Sequence, residues 1–281
     1  MGLRLSAITI YPVKSMAGIA LQDSILDRTG LRYDRRWMLV DTNGKFITQR
    51  THPKMAVIQP SISTAGQLSL RYQQDEHIVP LTDANSPRRA VTVWKDSVIA
   101  EQCSPFINQW LSNILETTCQ LVYLPTDSIR TCDPQYAQAD DQTSFADGFP
   151  LLLISQASLD DLNQRLVESV SMTRFRPNLV VTGCAAYAED QWQQSQQDLQ
   201  IGQSVFRVIK PCPRCVVTTV DPKTGLKTGK EPLATLSQYR RQGKQIMFGQ
   251  NLAINWQAEV KQPLSVGMTI SLSAPALSSI D

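Results

Sequence analysis

Hydrophobic positions along this chain alternate with polar ones more often than they recur at helical spacing. Residues 3–13, LRLSAITIYPV, read as a strand of period two, and 21–26 as a second short one. WMLVDTNGKFITQR places two alternating runs around Asn43-Gly44, a pair that accepts the positive φ angles of a tight hairpin turn. MAVI, GQLSLRY, HIVPL and AVTVWKDSVIAE follow as further strands, so the first third is expected to be β-rich. Later strands are expected at LVYLP, NLVVTG, QSVFRVIK, CVVTTVD, NLAINW and SVGMTISL.

Helical spacing is rare. SPFINQWLSNILETT predicts a helix with Ser104 as N-cap, Pro105 at the first position, and Phe106, Trp110, Leu111 and Leu115 on one side. A second helix is expected after Ser155, with Leu159, Leu162 and Leu166 facing a core, and a short third at LATLSQYRR. The polar stretch 127–144 has little periodicity and is expected to be a linker or mobile loop. Many short strands with few helices indicate an α+β, β-rich fold of barrel or sandwich type. Neither GxGxxG nor GxxxxGK[ST] is present, which gives no support to a standard nucleotide loop.

Composition narrows the function classes. The 281 residues carry a net charge of only +2 and their basic residues are scattered, so nucleic acid is not an expected partner. No apolar run approaches the roughly 20 residues that span a bilayer, and the opening alternates where a signal peptide would be uniformly apolar. No membrane association is expected, and the expected location is cytoplasmic. The six cysteines are thinly spread and two histidines cannot build a multi-histidine metal site, so reduced thiols are the default and any metal must lean on sulfur, carboxylate or a cofactor.

KPCPRCVVTTVDPKTG, at 210–225, concentrates the chemistry. A structural zinc needs four ligands, and Cys212 and Cys215 supply two with no second C-x-x-C in the chain. A thioredoxin-type dithiol opens a helix, whereas this pair precedes the β-branched run VVTTV. If 212–220 is extended, residues three apart face opposite ways and the sulfurs do not chelate one ion together. A single exposed thiolate is the simpler expectation, favoured by the charges of Lys210 and Arg214. Read alone, the stretch is equally compatible with a buried structural cysteine. Lys14 and Ser15 in PVKS, Arg32, Arg35 and Arg36 in RYDRRW, and Arg176 in FRPN each read singly as surface groups; together with a thiolate they suggest a site for an anionic cofactor.

YPVKSMAG, GLRYDRRWMLVD, FADGFPLLLIS, RFRPNLVVTG with YAEDQW, PCPRCVVTTVDPKTG, KEPLATLSQYR and FGQN occur in the order seen in MOSC-domain proteins. The chain resembles the branch with a MOSC N-terminal β-barrel domain, which includes amidoxime-reducing components and bacterial N-hydroxylated-base reductases. The resemblance implies an N-terminal domain at 1–122, whose first strand joins the barrel, and a MOSC β-barrel at 123–275. It implies a molybdenum cofactor, with Cys215 as the catalytic protein sulfur on the metal and Cys212 as a neighbour. Lys14, Ser15, Arg35 and Arg176 match positions that hold the pterin and its phosphate; Pro213 and Arg214 would approach the cofactor, and Asn251 lies near it. Asp147, Glu189 and Asp190 also fall in matched segments, where structural roles are the plainer reading.

In that family the reaction removes oxygen from N-hydroxylated compounds such as amidoximes, hydroxamic acids or N-hydroxy bases. No cysteine set here reproduces C-x₄-C-x₂-C, so no iron–sulfur cluster is expected, and electrons would come from a separate ferredoxin or flavoprotein. The alternative the resemblance allows is a non-catalytic carrier of cofactor or sulfur, because MOSC domains also end molybdenum cofactor sulfurases.

Overall fold

The computed structural model describes residues 2–83, 85–256 and 262–273; the expected domain limit at 275 lies outside them. Nine strands form the main sheet, ordered Ile19–Leu21, Arg4–Ile10, Leu179–Thr182, Leu151–Ser155, Gln245–Ile254, Ser204–Arg214, Asp198–Ile201 and Ile270–Ser273, with Arg241–Gln242 pairing on Gln245–Ile254. The sheet curls back on itself: Thr269 bridges Arg4, and the Ile270 amide donates to the Leu3 carbonyl at 2.9 Å. Leu5, Ile8, Leu153, Leu179, Phe206 and Leu252 point into the enclosed core and are almost fully buried. Period-two alternation produced most of this face, a register shift between Leu5 and Ala7 keeps Leu5 on it beside Ile8, and the fold is α+β and β-rich as expected.

Leu151–Ser155 and Leu179–Thr182 are parallel, joined through helix α2, Gln156–Arg165. Ser155 caps that helix, its hydroxyl accepting from the Ser158 amide, and Leu159 and Leu162 are buried as expected. A four-stranded sheet, Arg88–Val93, Asp96–Gln102, Gln120–Tyr123 and Trp37–Val40, carries helix α1, Pro105–Leu115. The buried side of α1 is Ile107, Leu111 and Leu115, whereas Phe106 stands 60 % exposed. Phe106 instead stacks edge-on against His77 at the helix start and Ile107 takes the inward place, while Leu111 and Leu115 are buried as expected and Trp110 packs against the same core.

Three other expectations are corrected. MAVI is no strand: with Pro53 setting φ at its start, Pro53–Val57 winds into a 3₁₀ turn that buries Met55 and Ala56. The polar stretch 127–144 is not a free loop but is pinned to the body of the protein. Arg130 within it is buried, pairs with Asp96 at 2.8 Å and donates to the carbonyls of Ser144, Ala146 and Asp147, stitching an irregular segment to its neighbours. CVVTTVD does not continue as a strand, because Ser204–Arg214 ends before Cys215 and Val216–Thr219 forms a 3₁₀ turn.

Candidate active site

The long pair Ser204–Arg214 and Gln245–Ile254 loses register between Val208 and Lys210 and again between Pro211 and Pro213. Two prolines that cannot donate to a ladder force the second irregularity, leaving Cys212 unpaired in it. A bulge breaks strict alternation of faces. Cys212 and Cys215 therefore both line one cleft, contrary to the expectation that an extended chain would turn their sulfurs apart. Cys215 is exposed; Cys212 is half-buried, and burial pushes its thiol up, opposed by Arg214. The Arg214 guanidinium donates to Cys212 Sγ at 3.1 Å, and Lys210 lies over the Tyr136 ring at 3.9 Å. The two charges expected to flank one thiolate are thus directed elsewhere.

Four of the other expected positions come from distant parts of the chain to the same cleft: Lys14, Ser15, Arg35 and Arg176. Pro213, Arg214 and Asn251 complete the set, and the cleft holds about 850 Å³ of free space including its open mouth. Ser15, Arg35 and Arg176 all sit at positive φ, 67°, 48° and 58°, a conformation that non-glycine residues adopt only where surrounding contacts enforce it. Here the contacts are visible. Arg35 donates to Asp34 at 2.6 Å and to Asn178 at 2.8 Å, while Arg176 donates to the Met16 carbonyl at 2.7 Å.

Between the two guanidiniums stands the Tyr11 ring, 4.4 Å from Arg35 and 4.1 Å from Arg176. Burial raises the Tyr11 hydroxyl to about 12, so it remains a neutral hydrogen-bond donor to the Pro177 carbonyl. Burial and then the neighbouring Arg35 lower Arg176 to about 10 against the pull of Tyr11, which leaves it charged at neutral pH. Desolvation likewise pushes the buried Lys14 amine down; Asp147, at 2.6 Å, holds it up. The protein around Asp147 pushes its carboxyl up, but the Lys14 charge and hydrogen bond outweigh this and keep it below the usual carboxylate range. Trp94 Nε1 donates to the same Asp147 oxygen at 3.1 Å.

Among the described residues, five cations line the cleft, Lys14, Arg35, Arg50, Arg176 and Arg214, against one lining carboxylate, Asp147. Arg214 Nε is buried without a hydrogen-bond partner, an orphan donor that a ligand's acceptor would satisfy. The excess of positive charge, the unpartnered Arg214 Nε and an exposed thiol fit an anionic, sulfur-seeking group. Among the described residues no three His, Cys, Asp or Glu side chains cluster as a self-sufficient metal site, so a metal here would need ligands from a cofactor.

Arg50 escaped the sequence reading because it follows a hairpin whose alternation gave no reason to single it out. It stacks on Trp94 at 4.3 Å, a contact between segments that only folding brings together. Glu189 and Asp190 do not line the cleft. Glu189 is buried and accepts from the Ser155 amide and the Ser158 hydroxyl, and Asp190 binds Arg240 and Gln250, so both brace α3, Ala188–Gln194, against the sheet.

A curled β-rich sheet with a thiol and a cation-lined cleft at a bulged strand defines a class of protein before any relative is considered. The chain matches the MOSC N-terminal beta barrel domain over residues 2–118 and the MOSC domain over 140–271. It is 35% identical over 263 residues to mitochondrial amidoxime-reducing component 1 of Mus musculus, spanning 87% of this chain and 76% of that one. Mitochondrial amidoxime reducing component 2 of Homo sapiens is 32% identical over 245 residues, 82% of this chain and 70% of its own. Molybdenum cofactor sulfurase of Arabidopsis thaliana is 33% identical over 267 residues, 87% of this chain but 32% of its own length. The chain belongs to the MOSC family, in the branch that joins a MOSC N-terminal beta barrel domain to a MOSC domain.

Proposed function

We propose that this protein is a molybdenum-cofactor-dependent reductase of N-hydroxylated compounds that takes electrons from a separate donor protein. The observation that carries the reading is the meeting, in one cleft, of the exposed Cys215 with the buried Lys14 and the half-buried Arg35 and Arg176. Relatives named for amidoxime reduction, matched along most of both chains, support the reaction class.

When bound, the cofactor supplies a metal that exchanges two electrons and carries soft dithiolene sulfurs, to which Cys215 adds a third. Lys14, Ser15, Arg35 and Arg176 would hold its pterin and phosphate, their charge balancing the anion. Arg214 has its unpartnered Nε to offer, and Asn251, braced on the Lys210 and Pro211 carbonyls, walls the site beside Pro213. Asp147, held ionised by Lys14, is placed to accept a hydrogen bond from the N–H or O–H of a substrate entering at the mouth.

Protein made in a cofactor-competent host should contain molybdenum and pterin and reduce benzamidoxime with a chemical reductant. Cys215→Ala should abolish turnover, while Cys212→Ala should keep much of it. Absence of metal and pterin, or equal loss in both variants, contradicts the reading. A carrier of cofactor or sulfur is the second reading, favoured by the likeness to a cofactor sulfurase and by the exposure of Cys215. Tight cofactor binding without turnover would select it.

A further inference from the structure

Beyond the cleft, the rim around its mouth combines exposed apolar side chains with an excess of cations. Trp94 and Val216 are each 46 % exposed and Leu226 is 63 % exposed, three of the large apolar side chains that the protein leaves open to solvent. Trp94 is tied to the mouth through its bond to Asp147 and its stack on Arg50, both cleft residues. Val216 follows Cys215 and precedes Val217, which lines the cleft.

Leu226 is held there by the turn that follows. Asp221 accepts the Gly225 amide with its carbonyl at 2.8 Å, and Val220 bridges Lys227. Lys227 Nζ then donates to the Arg50 carbonyl at 2.8 Å, anchoring the turn to the cleft wall. Gly225, at φ +69°, packs within 3.3 Å of the Lys54 backbone when a Cβ is added, so the turn lies flat on its neighbour. Lys223, Lys227 and Lys230 project from this turn, all exposed, and Lys95 is exposed beside Trp94. Most acids nearby are already paired: Asp221 with Arg174 at 3.0 Å, Asp147 with Lys14 at 2.6 Å, Glu116 with Lys54 at 2.9 Å and Asp96 with Arg130 at 2.8 Å, while Glu231 follows Lys230. A net charge of +2 for the whole chain makes this a local concentration of charge.

We propose that this rim is the docking surface for an acidic one-electron carrier protein, which delivers electrons at the cleft mouth. The proposal rests on the reductase reading, since a two-electron reduction needs a source. Each turnover takes R–NH–OH, two electrons from two successive carrier encounters and two protons to R–NH₂ and water, breaking the N–O bond. An aromatic and aliphatic centre ringed by cations is the composition that gives a transient interface both contact and steering toward a negatively charged partner. The turn that bears the lysines also bears the thiol-side wall of the cleft, so a carrier seated on it lies against the redox site.

The test uses the cofactor-loaded protein and the double variant Lys223→Glu, Lys230→Glu, which keeps the Lys227 anchor, with Leu226→Ser as a second variant that leaves the charge intact. Turnover of benzamidoxime is measured with reduced plant-type [2Fe-2S] ferredoxin, an acidic carrier, and separately with methyl viologen radical, which needs no docking surface. Binding of oxidised ferredoxin is measured in parallel by calorimetry. In the double variant, ferredoxin-driven kcat/KM should fall about 10-fold or more and ferredoxin binding should weaken by a similar factor, with viologen-driven turnover changed less than about twofold. Leu226→Ser should weaken ferredoxin binding with the viologen rate intact. Wild-type ferredoxin-driven turnover should fall steeply as ionic strength rises from about 0.05 to 0.3 M. Ferredoxin binding or ferredoxin-driven rates that are absent in the wild type, or unchanged in the double variant, overturn the docking surface while viologen turnover leaves the reductase reading standing. No viologen turnover in the wild type overturns the reductase reading, and loss of ferredoxin binding on charge reversal would still uphold the surface.

Discussion

Cys215 differs from the other thiols in this chain by access. Burial pushes Cys103 and Cys132 up to about 12 and leaves both almost out of reach of solvent. Reaction with iodoacetamide at pH 8 should therefore modify Cys215 first and leave Cys103 and Cys132 untouched until the protein unfolds, as read by peptide mass spectrometry. Labelling of all six at similar rates would contradict the packing described. Asp147 offers a test by pH. Its folded value lies below the ordinary 3.8, so its contribution to stability is present above 3.8 and is lost as pH falls through the folded value. With its side chain 76 % exposed the contribution is small, under about 1 kcal/mol. Asp147→Asn should lower the urea midpoint slightly at pH 7, and the difference from wild type should shrink as pH falls below 3.8.

Element by element, the regular strands were legible and the departures from regularity were not. Alternation in SAITI and QLSLRY reports which face meets the core, and those strands stand where period two puts them. The bulge at Cys212 is invisible to that reasoning because it depends on register against Gln245–Ile254, a partner 30 or more residues away. The positive φ of Arg35 and Arg176 is hidden for the same reason: their own residue types argue against it, and tertiary contacts overrule them. Glycine gives a sharper handle. Gly249, at φ +80°, lies so close to Leu151–Ser155 that an added Cβ would sit 2.6 Å from Ile154 Cγ1 and 2.8 Å from the Leu153 carbonyl. Backbone strain and overpacking act together there, and Gly249→Ala should cost about 2–4 kcal/mol in urea unfolding. Asn251 lies two residues on, so cofactor content should fall with stability. A loss below about 0.5 kcal/mol would mean the two strands separate more easily than their packing indicates.

At the scale of the molecule, the first strand of the chain belongs to the sheet built mostly by the last half. Arg4–Ile10 pairs with Leu179–Thr182, and Leu5, Ile8 and Ile10 pack into the core shared with Phe206 and Leu252. The motif order in the sequence made the common site legible, since Lys14, Arg35, Arg176 and Cys215 could be matched one by one. It did not reveal the mechanical reason they meet: Lys14 and Ser15 follow directly on a strand whose partner leads out of Arg176. That connection makes a strong prediction for a fragment starting at residue 123. It would bare the edge of Leu179–Thr182, open the core where Leu5 and Ile8 stood, and lose Lys14, Ser15 and Arg35 from the cleft. Each buried aliphatic side chain contributes roughly 1.5–3 kcal/mol, so losing three from one wall removes an amount comparable to the 5–15 kcal/mol that holds an ordinary domain folded. The fragment should show no cooperative thermal transition by circular dichroism, and co-expression with residues 1–122 should restore one. A two-state melt of the fragment near the temperature of the full chain would mean that the sheet is complete without its first strand, and the cleft would then have to be rebuilt from the remaining cations alone.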